Sequence, residues 1–302
     1  QEMYRWLAFS LIKPNSRYYA LKEVGIDCII INAADVPSTQ YEETMKTDRI
    51  DADKLVRSLK AGLLKGIYIH KKDDLDARSI VRNLKSITKQ LGGYKARVKH
   101  LLYTNGVTLP ERFSKPGTHW SKAFIKWLRD EVKLLSSTRY SLDLLLDQVE
   151  AIRKILYDVT LKIRELSQSA RYKEQFELLK SIPGIGEIGA MTLLTEIGDF
   201  NRFHNERELA SYLGLIPTSH SSGNKTAHGE KTFRGNKFLG TVLVEMCWVA
   251  IYKDYGLGAA YTDYKTRMKP QKAIIKIARK FSNIILAVMK SGKVYEPYRW
   301  TK

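Results

Sequence analysis

Apolar and polar positions alternate along this chain in three textures. The first runs to about residue 70. "SRYYALKEVG" has helical spacing and stops at Gly25, and "IDCIIINAADVP" then carries an unbroken apolar run from Cys28 to Ile31. Such a run is expected of a strand buried on both faces. Leu55, Leu59 and Leu63 recur at helical spacing and predict a second helix over Thr47–Leu64. "GIYIH" (66–70) reads as another short strand. Together these make an α/β fragment, too short for a complete sheet domain.

The second texture begins after His70. "DLDARSIVRNLKSITKQLGGYKARVKHLLYTNG" and "SLDLLLDQVEAIRKILYDVTLKIRELSQSARYKEQFELLKSI" each read as one long amphipathic helix, with apolar residues every three and four. A connector containing Pro and Trp (110–130) joins them. The pair fits an antiparallel coiled-coil arm, or equally two helices of a bundle. In either arrangement this part is scaffold. The third texture starts near Ile182 and is helical, with glycine-rich breaks. The expected division is therefore 1–70, 71–178 and 179–302.

Charge changes the picture. The 302 residues hold 51 Lys plus Arg against 32 Asp plus Glu, a formal net charge of +19. A balance this positive calls for a polyanion, nucleic acid first. From Ser219 onward there are about three basic residues for each acidic one, the bias of a nucleic-acid-facing surface. Cys28 and Cys247 lie far apart in apolar contexts, with neither zinc spacing nor a disulfide framework. They fit a reducing cytoplasm. The longest apolar segment, "AIIKIARKFSNIILAVMK", carries Lys276, Arg279 and Lys280 at its centre and does not suit a bilayer. The first residue is Gln1, which leaves the true start of the protein open.

Three stretches offer chemistry. "SIPGIGEIGAMTLLTEIG" (181–198) has the form of a helix-hairpin-helix. Its turn, with Gly184 and Gly186, would present backbone N–H groups to a phosphate without reading bases; a plain packing corner fits it equally. In "KTDRIDADKL" (46–55), Asp48 and Asp51 stand three apart. On a helix their carboxylates share a face and can meet at one Mg²⁺, although acids in a first turn also answer the helix dipole alone. Asp53 falls on another face. "SHSSGNK" offers a serine beside a glycine, with His220, Lys225 and His228 close by. A serine hydroxyl attacks only when its proton is removed, and the stretch also reads as an ordinary polar loop. Lys225, Lys231, Arg234 and Lys237 are the basic candidates for holding a nucleic-acid backbone.

Taken in order, "GIDCIIINAADVP", "KTDRIDADKL", "LLKSIPGIGEIGAMTLLTEIGDFNRF", "ELASYLGLIPTSHSSG" and "RGNKFLGTVLVEMCWVA" resemble the insertion-sequence one-ten family of transposases. The likeness covers nearly everything from Tyr18 onward. It implies a fold of α/β plus mainly α: a partial RuvC-like (RNase H-like) domain, an antiparallel coiled-coil insertion, and a helical C-terminal serine transposase domain with a helix-hairpin-helix. It implies excision and insertion of an element, with a structured noncoding bridge-type RNA pairing to donor and target DNA. It also implies a dimer or tetramer, no membrane, and a bacterial cytoplasmic, nucleoid-associated setting. Carried over by residue, the second pair of four acidic ligands falls on Asp48 and Asp51, and the nucleophile on Ser222. The implied reaction is attack of the Ser222 hydroxyl on a DNA phosphate, with Mg²⁺ at the acidic cluster.

The chain departs from the family at three points. The first Asp and the Glu of the acidic quartet have no counterpart here; "LAFSLIKPNS", where the Glu motif is expected, lacks it. Gly240 stands where the family has arginine. The expectation is an N-terminally truncated copy of weak or no activity. Two further readings stay open: a non-catalytic nucleic-acid-binding remnant, and a RuvC-type structure-specific nuclease that cuts with water.

Overall fold

The computed structural model describes residues 6–7, 14–32, 35–45, 47–222, 225–231 and 235–297; over 217–222 and 225–231 it describes the backbone. The chain divides into two compact units, Gln1–Lys72 and Asp73–Lys302.

In the first unit, β1 (Trp6–Leu7) pairs in parallel with β2 (Cys28–Ile29), with Trp6 opposite Cys28 and Leu7 opposite Ile29. The helix α1 (Pro14–Glu23) links them, as parallel strands require a crossover. Gly25, at φ +76°, turns the chain out of that helix. Cys28, Ile30 and Ile31 are buried, as the apolar run predicts. β1 carried no sequence signal, because two residues are too few to form a pattern. The predicted strand at 66–70 does not form. That stretch lies beside Ile30 through the Ile67 N–H, 2.7 Å from the Ile30 carbonyl, and Ile67 itself is exposed. A short helix, α2 (Gln40–Thr44), opens on a capping box: the Thr39 amide donates to Glu42, and the Glu42 amide to the Thr39 hydroxyl. It is followed by α3 (Asp48–Lys60), capped by Thr47, within the predicted helix.

The second unit begins with two long helices, α4 (Lys72–Thr104) and α6 (Ser136–Ser167). Their buried positions recur at three and four: Ala77, Val81, Leu84 and Ile87 on one, Leu142, Leu146, Val149 and Ile152 on the other. The start of α4 and the end of α6 share one core, and the end of α4 and the start of α6 share another. The two helices therefore run antiparallel. Between them the connector forms its own helix, α5 (Lys122–Asp130), which the sequence reading left unassigned. Phe113, Phe124 and Trp127 pack edge-on and tilted beneath it, with ring centroids 5.1–5.6 Å apart.

The second predicted long helix is two. After α6 the chain breaks, and α7 (Lys173–Lys180) starts afresh. Ser167 and Ser169 bond back to the carbonyls of Arg164 and Leu166, the local competition that ends helices. The break is fixed by buried Asp74 at the start of α4, which accepts from the Tyr172 hydroxyl at 2.9 Å and from Arg171 at 3.0 Å. Burial first, then this carboxylate, pushes the Tyr172 phenol up to about 12.

The remaining helices, α8 (Glu187–Ile197), α9 (Glu206–Tyr212), α10 (Lys237–Lys253), α11 (Tyr255–Arg267) and α12 (Pro270–Ser291), close the main core. α12 buries Ala273, Ile274, Ile277, Phe281 and Ile285 and leaves Arg279 and Lys280 exposed, so it is amphipathic. Among the described residues no helix is long and apolar enough to cross a membrane. Burial pushes the Cys247 thiol upward, leaving it a packing residue.

Gly184 shows how tight this core is. At φ +97°, a Cβ added there would lie 2.7 Å from the Ala250 Cβ and 2.8 Å from the Met246 carbonyl. The turn between α7 and α8 therefore rests directly on α10. Gly184→Ala should destabilise the protein by about 1–3 kcal/mol through overpacking, with added strain from the positive φ. A denaturation midpoint unchanged from wild type would contradict this packing.

Candidate functional site

Each sequence-predicted site residue lies within one unit: Asp48 and Asp51 in the first, the serine and the glycine turn in the second. The acids occupy the first turn of α3, where Thr47 accepts from the Ile50 amide. Asp48 is exposed; Asp51 is half-buried and pairs with Lys54 at 3.0 Å. Among the described residues no group of three or more Asp, Glu, His or Cys could hold a metal ion. The donor set fits Mg²⁺ only in the form that uses one or two carboxylates and takes its other oxygens from water and a substrate phosphate. The Lys54 ammonium, on a side chain only 14% exposed, competes with such a cation for Asp51.

The helix-hairpin-helix forms as α7, a turn and α8. Its two glycines do different work. Gly184 is committed to packing on α10, whereas Gly186 has open space beside it and stands as the N-cap of α8, without a side-chain cap. Of the two, Gly186 marks the free N–H groups.

Ser222 does not sit in a loop within a helical region. It is the last residue of β3 (Pro217–Ser222), which pairs antiparallel with β4 (Lys225–Lys231). Ser222 is opposite Lys225, Ser221 opposite Thr226 and His220 opposite Ala227, with an irregularity between Pro217 and Ser219. Ser222 and Lys225 are the last paired residues where the two strands join; Gly223 and Asn224 between them lie outside the described residues. Lys225 and Lys231 bound β4, Arg234 lies outside the described residues, and Lys237 opens α10. Gly240 is buried in the first turns of α10.

Sequence reasoning missed what holds the feet of this hairpin. On the side leading in, the Leu215 amide bonds to the Ala210 carbonyl at 2.8 Å, and Gly214 turns at φ +64°. On the side leading out, the Asn236 amide bonds to the Tyr212 carbonyl at 2.7 Å, and the Asn236 side chain caps α10 through the Leu239 amide. A Cβ on Gly235 would lie 2.4 Å from the Gly214 Cα, so the two feet meet backbone to backbone.

Beneath them lies Glu196, fully buried in α8. Its carboxylate accepts from Arg82 Nε at 2.5 Å, Arg82 Nη2 at 2.9 Å, Arg78 Nη2 at 2.9 Å and Asn236 Nδ2 at 2.9 Å. Its backbone carbonyl takes the Tyr212 hydroxyl at 2.8 Å. Burial pushes this acid up, but the hydrogen bonds from Arg82, Arg78 and Asn236 outweigh burial and hold it at about 2. The signal was present: a single acid inside the apolar run "AMTLLTEIG" is almost never buried unpaired.

The second unit is mainly helical and carries the serine hairpin on a clamped base, and known proteins resemble it there. Residues 176–262, from α7 through the hairpin into α11, match the family model described as Transposase IS116/IS110/IS902 family. The chain is 26% identical over 233 residues to the transposase for insertion sequence element IS1111A of Coxiella burnetii, covering 76% of this chain and 61% of that one. It is 28% identical over 199 residues to the transposase for insertion sequence element IS1533 of Leptospira borgpetersenii, covering 63% and 54%. Protein y4qE of Sinorhizobium fredii is 27% identical over 235 residues, covering 78% and 55%. Over this stretch the chain is similar to that insertion-sequence transposase family. It spans little more than half the length of these three relatives.

The clamp makes a pH-dependent prediction. A carboxylate held below its unfolded value stabilises the fold above that value, and the contribution is lost as pH falls through the folded one. For Glu196 the loss runs from about pH 5 to about pH 2 and is on the order of 3 kcal/mol. Glu196→Ala should cost about 3–5 kcal/mol at neutral pH, because it strands two arginines. Urea denaturation of both proteins across this range checks it; equal midpoints at pH 7 would refute the clamp.

Proposed function

We propose that this chain acts as an insertion-sequence transposase that cuts and rejoins DNA through Ser222. The observation that carries the reading is a serine at the turn of a hairpin whose two feet are locked together by Glu196, Asn236 and Tyr212, inside the segment that matches the transposase family. A nucleophile must be held to within fractions of an ångström of its target to gain from proximity. A hairpin on a buried, ion-paired base supplies that rigidity.

In the proposed reaction the Ser222 Oγ–P bond forms as the phosphate's bond to one deoxyribose oxygen breaks. The serine proton is given up, and the departing oxygen gains one. The phosphoserine keeps the phosphoester, so a second deoxyribose hydroxyl can attack it, release Ser222 and join a new strand. Asp48 and Asp51 would hold Mg²⁺ together with the substrate's phosphate oxygens. Bound there, the ion would supply charge stabilisation to the phosphoryl group. Lys225, Lys231, Arg234 and Lys237 flank the serine in sequence and are assigned to the sugar-phosphate backbone, with the α8 N-terminus at Gly186 as a neutral phosphate contact. A structured RNA that pairs with donor and target would set the sequence, and two such substrates call for a homo-oligomer.

A non-catalytic binding role is the second reading. It is favoured by the Asp51–Lys54 pair and by the absence of a third metal ligand among the described residues.

Incubation with element-end DNA, its noncoding flank as RNA and Mg²⁺, followed by a denaturing gel, separates the two. The transposase reading predicts a covalent protein–DNA adduct that vanishes in Ser222→Ala and falls at least tenfold in Asp48→Asn. No wild-type adduct supports the binding role; an adduct that survives Ser222→Ala removes Ser222 as nucleophile.

A further inference from the structure

The far end of the antiparallel helix pair carries a basic cleft that the proposed reaction does not use. It measures about 480 Å³ and is formed by α5 (Lys122, Ile125, Lys126, Arg129 and Asp130) against Glu150 and Arg153 of α6, four cations to two acids. Arg129 is committed to Asp147 and Glu150, at 2.7 Å each. Lys122, Lys126 and Arg153 are exposed and form no ion pair among the described residues. Lys95 and Lys99 of α4 add to the cluster, and the Lys95 ammonium lies over the Trp120 ring, 5.4 Å from its centroid. Burial, then Arg153 and Lys99, pushes the Lys95 ammonium down.

This arrangement works against the isolated protein in three ways. Lys122 opens α5, where the helix dipole favours an acid. Lys122 and Lys126 are like charges at i and i+4. Lys95, Lys99 and Arg153 crowd one another. The cluster is also built rather than scattered. Trp120 is the sole non-glycine residue at positive φ among the described residues, at +66°. Its carbonyl is held by Arg153 Nη1 at 2.9 Å, and its half-buried ring packs against Phe124. A strained aromatic locked beside concentrated, uncompensated cations marks a site rather than a solvated face.

We infer that this distal cleft is a second nucleic-acid site, gripping the phosphodiester backbone of a duplex through Lys122, Lys126 and Arg153, apart from the serine hairpin. Its donors suit phosphates: three flexible or forked cations on two helices. The inference does not depend on Ser222 being a nucleophile.

The test uses the full chain and a short mixed-sequence duplex, as DNA and as RNA, with affinity followed from low to physiological salt. Lys122→Ala/Lys126→Ala should weaken binding and lower the slope of log affinity against log salt by about two, one for each lost phosphate contact. Lys22→Ala/Lys162→Ala removes the same charge from exposed lysines already paired with Asp27 and Glu165 and should leave the slope at its wild-type value. A drop with both duplexes, or with one alone, supports the site and identifies its nucleic acid. An unchanged slope, a drop matched by the control pair, or displacement of neither duplex but capture of polyglutamate would overturn it. Ser222→Ala should keep the full slope, so loss of the adduct and loss of this site are separately visible.

Discussion

A buried carboxylate is costly unless its partners surround it, and much of the second unit is arranged around one such group. Glu196 leaves α8 in the middle of the main core, and both arginines that reach it come from α4. Its remaining partners, Asn236 and Tyr212, come from the two sides of the hairpin. The same charge therefore fastens the start of the long helix pair to the base of the serine-bearing hairpin. Replacing this hub with apolar residues could match its stability, but would not orient two chain segments through directional bonds.

Function follows from what the hub holds still and what it leaves outside. The hairpin feet are fixed at Gly214 and Gly235, while Ser222 and its basic neighbours lie beyond them. Rigid support under Ser222 is what the proposed reaction needs. The acids Asp48 and Asp51 are built differently, on the first turn of α3 in the other unit, with Asp48 exposed and Asp51 paired with Lys54. The distal cleft adds a third kind of element, charge without a partner.

Legibility in the sequence tracked the length of the pattern. The long helices were readable because buried residues repeat at three and four over many turns, and α3 was readable from Thr47, Leu55 and Leu59, while Leu63 falls beyond its end. The strand at 66–70 does not form because its bonds, from the Ile67 amide to Ile30 and from the Tyr19 hydroxyl to the His70 carbonyl, do not build a ladder. The break between α6 and α7 was hidden because its cause, Asp74, is nearly a hundred positions away. The hairpin was hidden because "SHSSGNKTAHGE" has no apolar face to alternate. At the site, the order of motifs singled out Ser222, Asp48 and Asp51, whereas Glu196 looked like one acid among hydrophobic residues. Gly184 was read as a phosphate cradle or a packing corner, and its contact with Ala250 selects packing for its missing side chain.

The central claim is that Glu196 ties the hairpin feet to the core. Hydrogen–deuterium exchange of wild type and Glu196→Gln tests it most directly. The claim predicts that the amides of Leu215 and Asn236 exchange slowly together in wild type and loosen together in the variant, while the middle of α12 keeps its protection. Feet that exchange equally fast in both proteins, or that stay equally protected, would contradict it.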